Sequence, residues 1–357
     1  MGLKKLWILG ILNLIFVITV FIIAQDVVNK GKEYTKNMHE HVEVLTFKDR
    51  ILNQDEWVML ITGKVISSVE DKVWLEKKIK SAEKLKAAET NYQEAKDLSS
   101  WIIYIMVGLI IITVILYAGS QQILPALGGS FVSISLVLLY LGVFSPLLEI
   151  HAYDEDLKIP IVIKFDEMAA EADEYINKGS SYIEEWSDYI GYKVDVPTYN
   201  PLSWLVDGYQ YDHSVVFEGK MYYYFQSKSV DSIIGLLFKD KNYGVAWAVL
   251  CFSVLFPLFK ILLTLLLVYI PKLRKVKTFA MILSIIGKWS MADIFVAAVF
   301  LAYFSFHNMN AGIETSSQSL IGLDFFLGYA IISIIASIMV WGATKKEGLI
   351  KLYELAL

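Results

Sequence analysis

The sequence predicts an all-α polytopic membrane protein with six transmembrane helices, an extracytoplasmic helical hairpin and a small extracytoplasmic α+β domain. Three observations lead there. Of 357 residues, 56% are hydrophobic and only 19% charged, against about 45–50% and about 25% in ordinary soluble domains. Six stretches approach the roughly 20 apolar residues that a helix needs to cross a hydrocarbon core of about 30 Å. Between them lie two long polar segments of unlike composition.

The six stretches are read at about residues 6–24, 101–118, 126–148, 246–270, 279–306 and 321–341. The first is longer than a signal-peptide core of about 7–15 residues, and Ile22-Ile23-Ala24 does not resemble a cleavage site, so it reads as an anchor. Short links set the orientation through their Lys and Arg content. Lys4 and Lys5 precede the first span, Lys272, Arg274, Lys275 and Lys277 fill the link after the fourth, and Lys345, Lys346 and Lys351 follow the last. Residues 307–320 carry neither Lys nor Arg. Six spans put all the basic segments on one side, so both termini are expected to be cytoplasmic.

Residues 25–100 hold no proline and two glycines. Their second half has Leu75, Ile79, Ala82, Leu85 and Tyr92 at three- and four-residue steps amid Lys and Glu, the pattern of an amphipathic helix. A helical hairpin standing on the first two spans follows, serving either as a solvated stalk or as a coiled coil that docks a partner. Residues 151–244 differ, with 17 acids against 8 lysines, no arginine, and 12 of the 21 tyrosines. Residues 159–165, 214–217 and 221–225 read as strands and 166–189 as helix. The chain thus divides into an N-terminal transmembrane hairpin (1–124) with its stalk (25–100), a four-helix segment (125–345) enclosing the α+β domain (151–244), and a cytoplasmic tail (346–357).

Enzyme signals are poor, and no cofactor or metal is expected. The single cysteine, Cys251, excludes an internal disulfide framework and any zinc ribbon or iron–sulfur site built on clustered thiolates. A net charge of −5 argues against a nucleic-acid partner. The rings of His39 and His41 would sit about 200° apart on a helix, with no third ligand near. Gly287-Lys288 lacks the earlier glycine and the following hydroxyl of a P-loop, residue 282 being Ile and residue 289 Trp.

The informative residues are polar groups inside the spans. Lys260 lies ten residues from Ile270, or about 15 Å deep, and Asp293 lies at similar depth in the next, antiparallel span. A charge at the centre of a membrane helix costs about 2.5–3.5 kcal/mol on insertion scales. Pairing Lys260 with Asp293 would lower the cost of both. Pro257, one turn away, cannot donate a backbone hydrogen bond and would free the carbonyl of Ser253, kinking the span. Trp289 and Ser290 share a face with Asp293. Such a site could lock two helices together, or lie on a transport or protonation pathway.

The run Phe256-Pro257-Leu258-Phe259-Lys260, followed after the basic link by Gly287-Lys288-Trp289-Ser290-Met291-Ala292-Asp293, resembles the signature of the paraquat-inducible protein A family of bacterial inner-membrane proteins. The resemblance covers about 125–343. It implies a four-helix, tetraspanin- or claudin-like module with a small extracytoplasmic sheet, placed in the cell inner membrane. It also implies a part in phospholipid transport between membranes beside a periplasmic MCE-domain protein, with Lys260, Asp293, Trp289 and Ser290 at the family's polar positions. The sequence departs from the family in carrying one module, no cysteine pairs for a zinc ribbon, an added hairpin and an enlarged outside loop. The alternative is an interaction or sensor protein of the cell envelope, anchored by its spans and binding a periplasmic partner.

Overall fold

The structure is a computed structural model that describes residues 3–54, 56–57, 60, 69–120, 122–164, 174–175, 177–179, 181–182, 185, 210–270 and 314–346. Its elements in order are α1 (Leu3–Val44), α2 (Phe47–Ile51), α3 (Val69–Tyr117), α4 (Ile123–Phe144), β1 (Leu148–Lys164), β2 (Gln210–Lys228), α5 (Val230–Lys239), α6 (Tyr243–Leu250), a wide π turn (Cys251–Leu255), α7 (Phe256–Tyr269), β3 (Glu314–Ser319) and α8 (Ile321–Lys346). Five helical stretches among the described residues are long and apolar enough to cross a membrane: α1, α3, α4, α6 continued through α7, and α8. The expected span at 279–306, with Trp289, Ser290 and Asp293, lies outside the described residues. So does the basic link Lys272, Arg274, Lys275 and Lys277. The protein is a mostly helical, multi-pass membrane protein with a small three-stranded sheet.

α1 and α3 are 42 and 49 residues long, or about 60 and 70 Å, twice a bilayer core. Each continues without a break from an apolar half into a polar half. Ile8, Ile11, Ile15, Ile18 and Ile22 on α1 and Ile103, Val107, Ile111 and Ile115 on α3 are exposed in bands suited to lipid. Trp101 and Tyr104 sit where the α3 band begins, the place of an interfacial aromatic belt.

The two helices run antiparallel. Lys84 meets Glu40 at 2.6 Å, Lys30 meets Glu94 at 2.8 Å, and the rings of Tyr34 and Tyr92 pack at a tilt with centroids 4.9 Å apart. Buried positions recur every seventh residue: Asn13, Val20, Val27, Tyr34 and His41 on α1, and Ser81, Ala88, Ala95, Ile102 and Leu109 on α3. This spacing keeps one face of each helix buried along its length. The amphipathic face read from the sequence needs correcting here. Leu85 and Tyr92 flank the seam, but Ile79 and Ala82 are exposed. On the polar half of α3 the buried positions are the small residues Ser81, Ala88 and Ala95, which hydrophobicity undervalues.

α4 is the most buried span, packed against α1, α7 and α8. It is also shorter than expected, ending at Phe144 where Ser145 and Pro146 turn the chain into β1. Its approach to α8 is set by two glycines. A Cβ on Gly142 would meet the Cα of Phe326 at 2.7 Å, and one on Gly128 would meet Val340 Cγ2 at 2.6 Å. Thr113 and Ser130 join α3 to α4 by a 2.9 Å hydrogen bond, a hydroxyl contact of the kind that holds membrane helices.

The sheet has the order β2-β1-β3. β3 pairs antiparallel with β1, from Leu148 opposite Ser319 to Tyr153 opposite Glu314. Residues 214–217 and 221–225, read as two strands, belong to the single strand β2, and β1 begins well before residue 159. β3 was not foreseen. The described residues between 174 and 185 are helical, as expected. By their contacts the residues form two compact units: one of 1–52, 72–154 and 222–357, the other of 53–71 and 155–221. In the second unit, Trp57 packs edge-on against Phe217 with centroids 5.0 Å apart, and the Gly219 N–H donates to the Asp156 carboxylate at 2.7 Å.

Two outcomes are expected from this packing. Gly142→Leu should destabilise the protein by about 1–3 kcal/mol through overpacking against Phe326, whereas Gly108→Leu, which meets nothing within 4 Å, should not. Unfolding in mixed micelles checks both. In the polar half of the hairpin, burial holds the His41 imidazole below its ordinary value, opposed by its hydrogen bond to the Ser81 carbonyl. A base with a lower pKa folded than unfolded favours the fold above its unfolded value, about 6.5, and loses that contribution as pH falls from there through the folded value. Hydrogen-exchange protection of the hairpin amides, corrected for intrinsic rates, should therefore drop below about pH 6.5 and do so less in His41→Gln.

Candidate functional site

α6, the π turn and α7 form one continuous span, Tyr243–Tyr269. Pro257 is the second residue of α7 and follows the wide turn directly. Immediately before it the helix widens, and the Phe256 N–H donates to the Cys251 carbonyl, five residues back. The sequence led us to expect a proline kink with a freed Ser253 carbonyl. What is found is a wide turn that shifts the hydrogen-bond ladder ahead of the proline. Such turns recur at functional sites. Ser253 and Pro257 are both buried.

One turn further on, the Lys260 ammonium donates to Ser333 Oγ of α8 at 2.9 Å. Lys260 is nine residues from the end of α7 and Ser333 twelve from the start of α8, so the two meet about 14–18 Å inside their spans. The contact borders a cavity of about 10 Å³ whose polar lining is Ser135 of α4, Lys260 and Thr264 of α7, and Ser333 and Ser337 of α8. That is room for about one water. Three of the hydroxyls are already turned onto their own helices: Thr264 donates to the Lys260 carbonyl, Ser337 to that of Ser333, and Ser135 to that of Phe131, at 2.7, 2.7 and 2.8 Å. The Ser333 oxygen thus faces the ammonium while its neighbours satisfy themselves locally.

Lys260, Pro257 and Ser253 therefore lie on one described span, while Asp293, Trp289 and Ser290 lie outside the described residues. Sequence reasoning missed Ser333. The signal was present, since Ser333 and Ser337 are four apart on one face of a mainly apolar span. It also missed Asn13, which donates to the Tyr269 hydroxyl at 2.7 Å and ties α1 to the end of α7.

With the site in view, the comparison with known families is decisive for part of the chain. Residues 220–341 match the paraquat-inducible protein A family. The matched stretch runs from β2 through α5, α6, α7 and β3 to α8, and contains Pro257, Lys260 and Ser333. The long helices α1 and α3, and also α4, precede it. Comparison with curated proteins and with solved structures gave no significant match. Within the paraquat-inducible protein A stretch, the polar contact deepest in the described spans is the one between Lys260 and Ser333.

A double-mutant cycle on Lys260→Met and Ser333→Ala should return a coupling of about 1 kcal/mol, the scale measured for hydrogen bonds between membrane helices. Unfolding by sodium dodecyl sulfate provides the readout. A coupling of zero would mean the contact adds nothing to helix association.

Proposed function

We propose that the protein is an integral inner-membrane component of intermembrane phospholipid transport, working beside a periplasmic MCE-domain protein and carrying out no enzymatic reaction of its own. In this reading both termini and the 272–277 link are cytoplasmic, and a phospholipid enters or leaves through a lateral opening beside Lys260. The observation that carries it is the Lys260 ammonium held by Ser333 at mid-span, inside the stretch that matches the paraquat-inducible protein A family. A charge at that depth is costly, and a leucine there would pack two helices without the cost. The wide turn before Pro257 gives the same span a point where its hydrogen-bond ladder is already irregular.

Asp293, at matching depth in the next span, is the second member of the site in this proposal. A carboxyl beside an ammonium in hydrocarbon changes protonation when their separation changes, which would couple transfer to a proton gradient. The test compares lipid flux across proteoliposomes in the native protein, Asp293→Asn, Lys260→Met and the swap of Lys260→Asp with Asp293→Lys. We expect both single variants to lose dependence on an imposed pH gradient, and the swap to restore abundance without flux. A swap that restores flux as well would reduce the pair to a structural lock.

A second reading, an envelope sensor that binds a periplasmic partner, is favoured by the polar halves of α1 and α3, which lie outside the family match. It predicts that a truncated hairpin abolishes partner capture and leaves lipid flux intact.

A further inference from the structure

Where the polar half of α1 meets the loop after α4, a second and much larger cavity opens, of about 500 Å³, bordered by Pro146. That volume lies within the range of small-molecule sites, about 300–1,000 Å³. Lys32, Lys36 and His39 face it from α1 at positions i, i+4 and i+7, a single helix face. Opposite them stand the hydroxyls of Ser227, at the end of β2, and of Ser229 and Ser232, leading into α5. Its level in the membrane follows from Phe144, the last residue of the α4 span, whose ring lies 5.8 Å below the Lys32 ammonium. The cavity is therefore at headgroup height.

Two acids belong to the same surroundings: Glu40 lines the cavity itself, and Asp231 sits beside Ser229. Glu40 is held by Lys84 at 2.6 Å and is 4.0 Å from Lys36. Asp231 accepts from Ser229 and lies 3.6 Å from Lys32, beyond hydrogen-bond range. Lys84 thus holds the Glu40 carboxylate more closely than Lys36 does, and three ammonium groups, those of Lys32, Lys36 and Lys84, stand against the two acids. Ammonium and imidazole donors on one wall and hydroxyl donors on the other suit a tetrahedral oxyanion, which accepts from several directions, better than a planar carboxylate.

We propose that this cavity binds a phosphate-bearing ligand at the membrane surface, with Lys36 as its principal cationic contact, His39 as a ring N–H donor and the rotatable hydroxyls of Ser227 and Ser232 as further contacts. Identifying the carrier as a phospholipid rests on the transport reading above; the oxyanion chemistry does not. Half of the cavity comes from α1, outside the stretch that matches the family, so this site would be a property of the added hairpin.

The test uses the full chain in two arms. In the first, the protein in nanodiscs of phosphatidylcholine with a minority of phosphatidic acid is released into the gas phase and its retained lipids are counted. The native chain should retain phosphatidic acid, and the double variant Lys36→Gln/His39→Gln should retain it roughly tenfold less, the effect of about 1.4 kcal/mol. Lys36→Arg should keep it, which separates charge from folding. In the second arm, inorganic phosphate against chloride is added to detergent-solubilised protein and the thermal midpoint is followed. A rise lost in the double variant, without retention of phosphatidic acid, assigns the site to a soluble phosphate. Equal retention by native and double variant with no phosphate-dependent midpoint overturns the proposal. Neither arm measures flux, so transport and gradient dependence unchanged in Lys260→Met, with phosphate binding intact, would count against the transport reading alone.

Discussion

The contact between α4 and α8 is the constraint on which the described spans depend. Hydrocarbon offers membrane helices no hydrophobic drive to associate, so their packing relies on close van der Waals approach and on polar contacts. Gly128 and Gly142, two heptads apart on α4, remove the side chains that would hold α8 away from Val340 and Phe326. Because α7 also packs on α4, this approach brings Ser333 of α8 within 2.9 Å of Lys260. An ordinary side chain at either glycine would push α8 outward and lengthen that hydrogen bond. The geometry of the polar site is thus set by residues that carry no polar group.

A second polar junction ties the hairpin to the sheet. Glu149 on β1 is 1% exposed and accepts from the Tyr34 hydroxyl and from His151 Nε2, both at 2.9 Å. Its other oxygen has no hydrogen-bond partner among the described residues. Backbone bonds reinforce the joint: the Tyr222 N–H donates to the Leu45 carbonyl, and Thr46 bridges Tyr222 in parallel. Burial pushes the Tyr222 phenol up to about 12, with Tyr153 and Glu149 adding to the shift. Aromatic rings enclosing a carboxylate make a joint that is directional as well as apolar, because the carboxylate accepts only where a donor is aimed. The hairpin is therefore keyed to the sheet as well as standing beside it.

The spans were legible in the sequence because 20-odd apolar residues in a row have few alternative fates. The site was half legible. Lys260 stands out because a charge in an apolar run is conspicuous, whereas Ser333 and Thr264 fall within the ordinary variation of a membrane helix. The seam of the hairpin was misread because apolarity at three- and four-residue steps pointed to Ile79 and Ala82, while the contact runs through Ser81, Ala88 and Ala95. These three residues are small, and hydropathy undervalues them. β3, Glu-Thr-Ser-Ser-Gln-Ser, is polar throughout and has no alternation to read. It is a strand because β1 presents an edge to it, and pairing of that kind is a tertiary fact.

The irregularities are unevenly distributed among the spans that surround Lys260. α4 and α8 are unbroken helices on which Ser133, Ser135 and Ser337 donate to their own backbones. The span from Tyr243 to Tyr269 instead gathers a wide turn, a proline and a lysine within ten residues. In hydrocarbon each of these is costly, since any backbone group left without a partner costs several kcal/mol. None of them is needed merely to fill the space between two helices. Concentrating the departures on one helix while its neighbours remain regular divides the bundle into a frame and an adjustable member. Any rearrangement that carries the ammonium of Lys260 from Ser333 to another partner then runs through the wide turn, where the α-helical ladder is already broken, and leaves the glycine-packed frame in place.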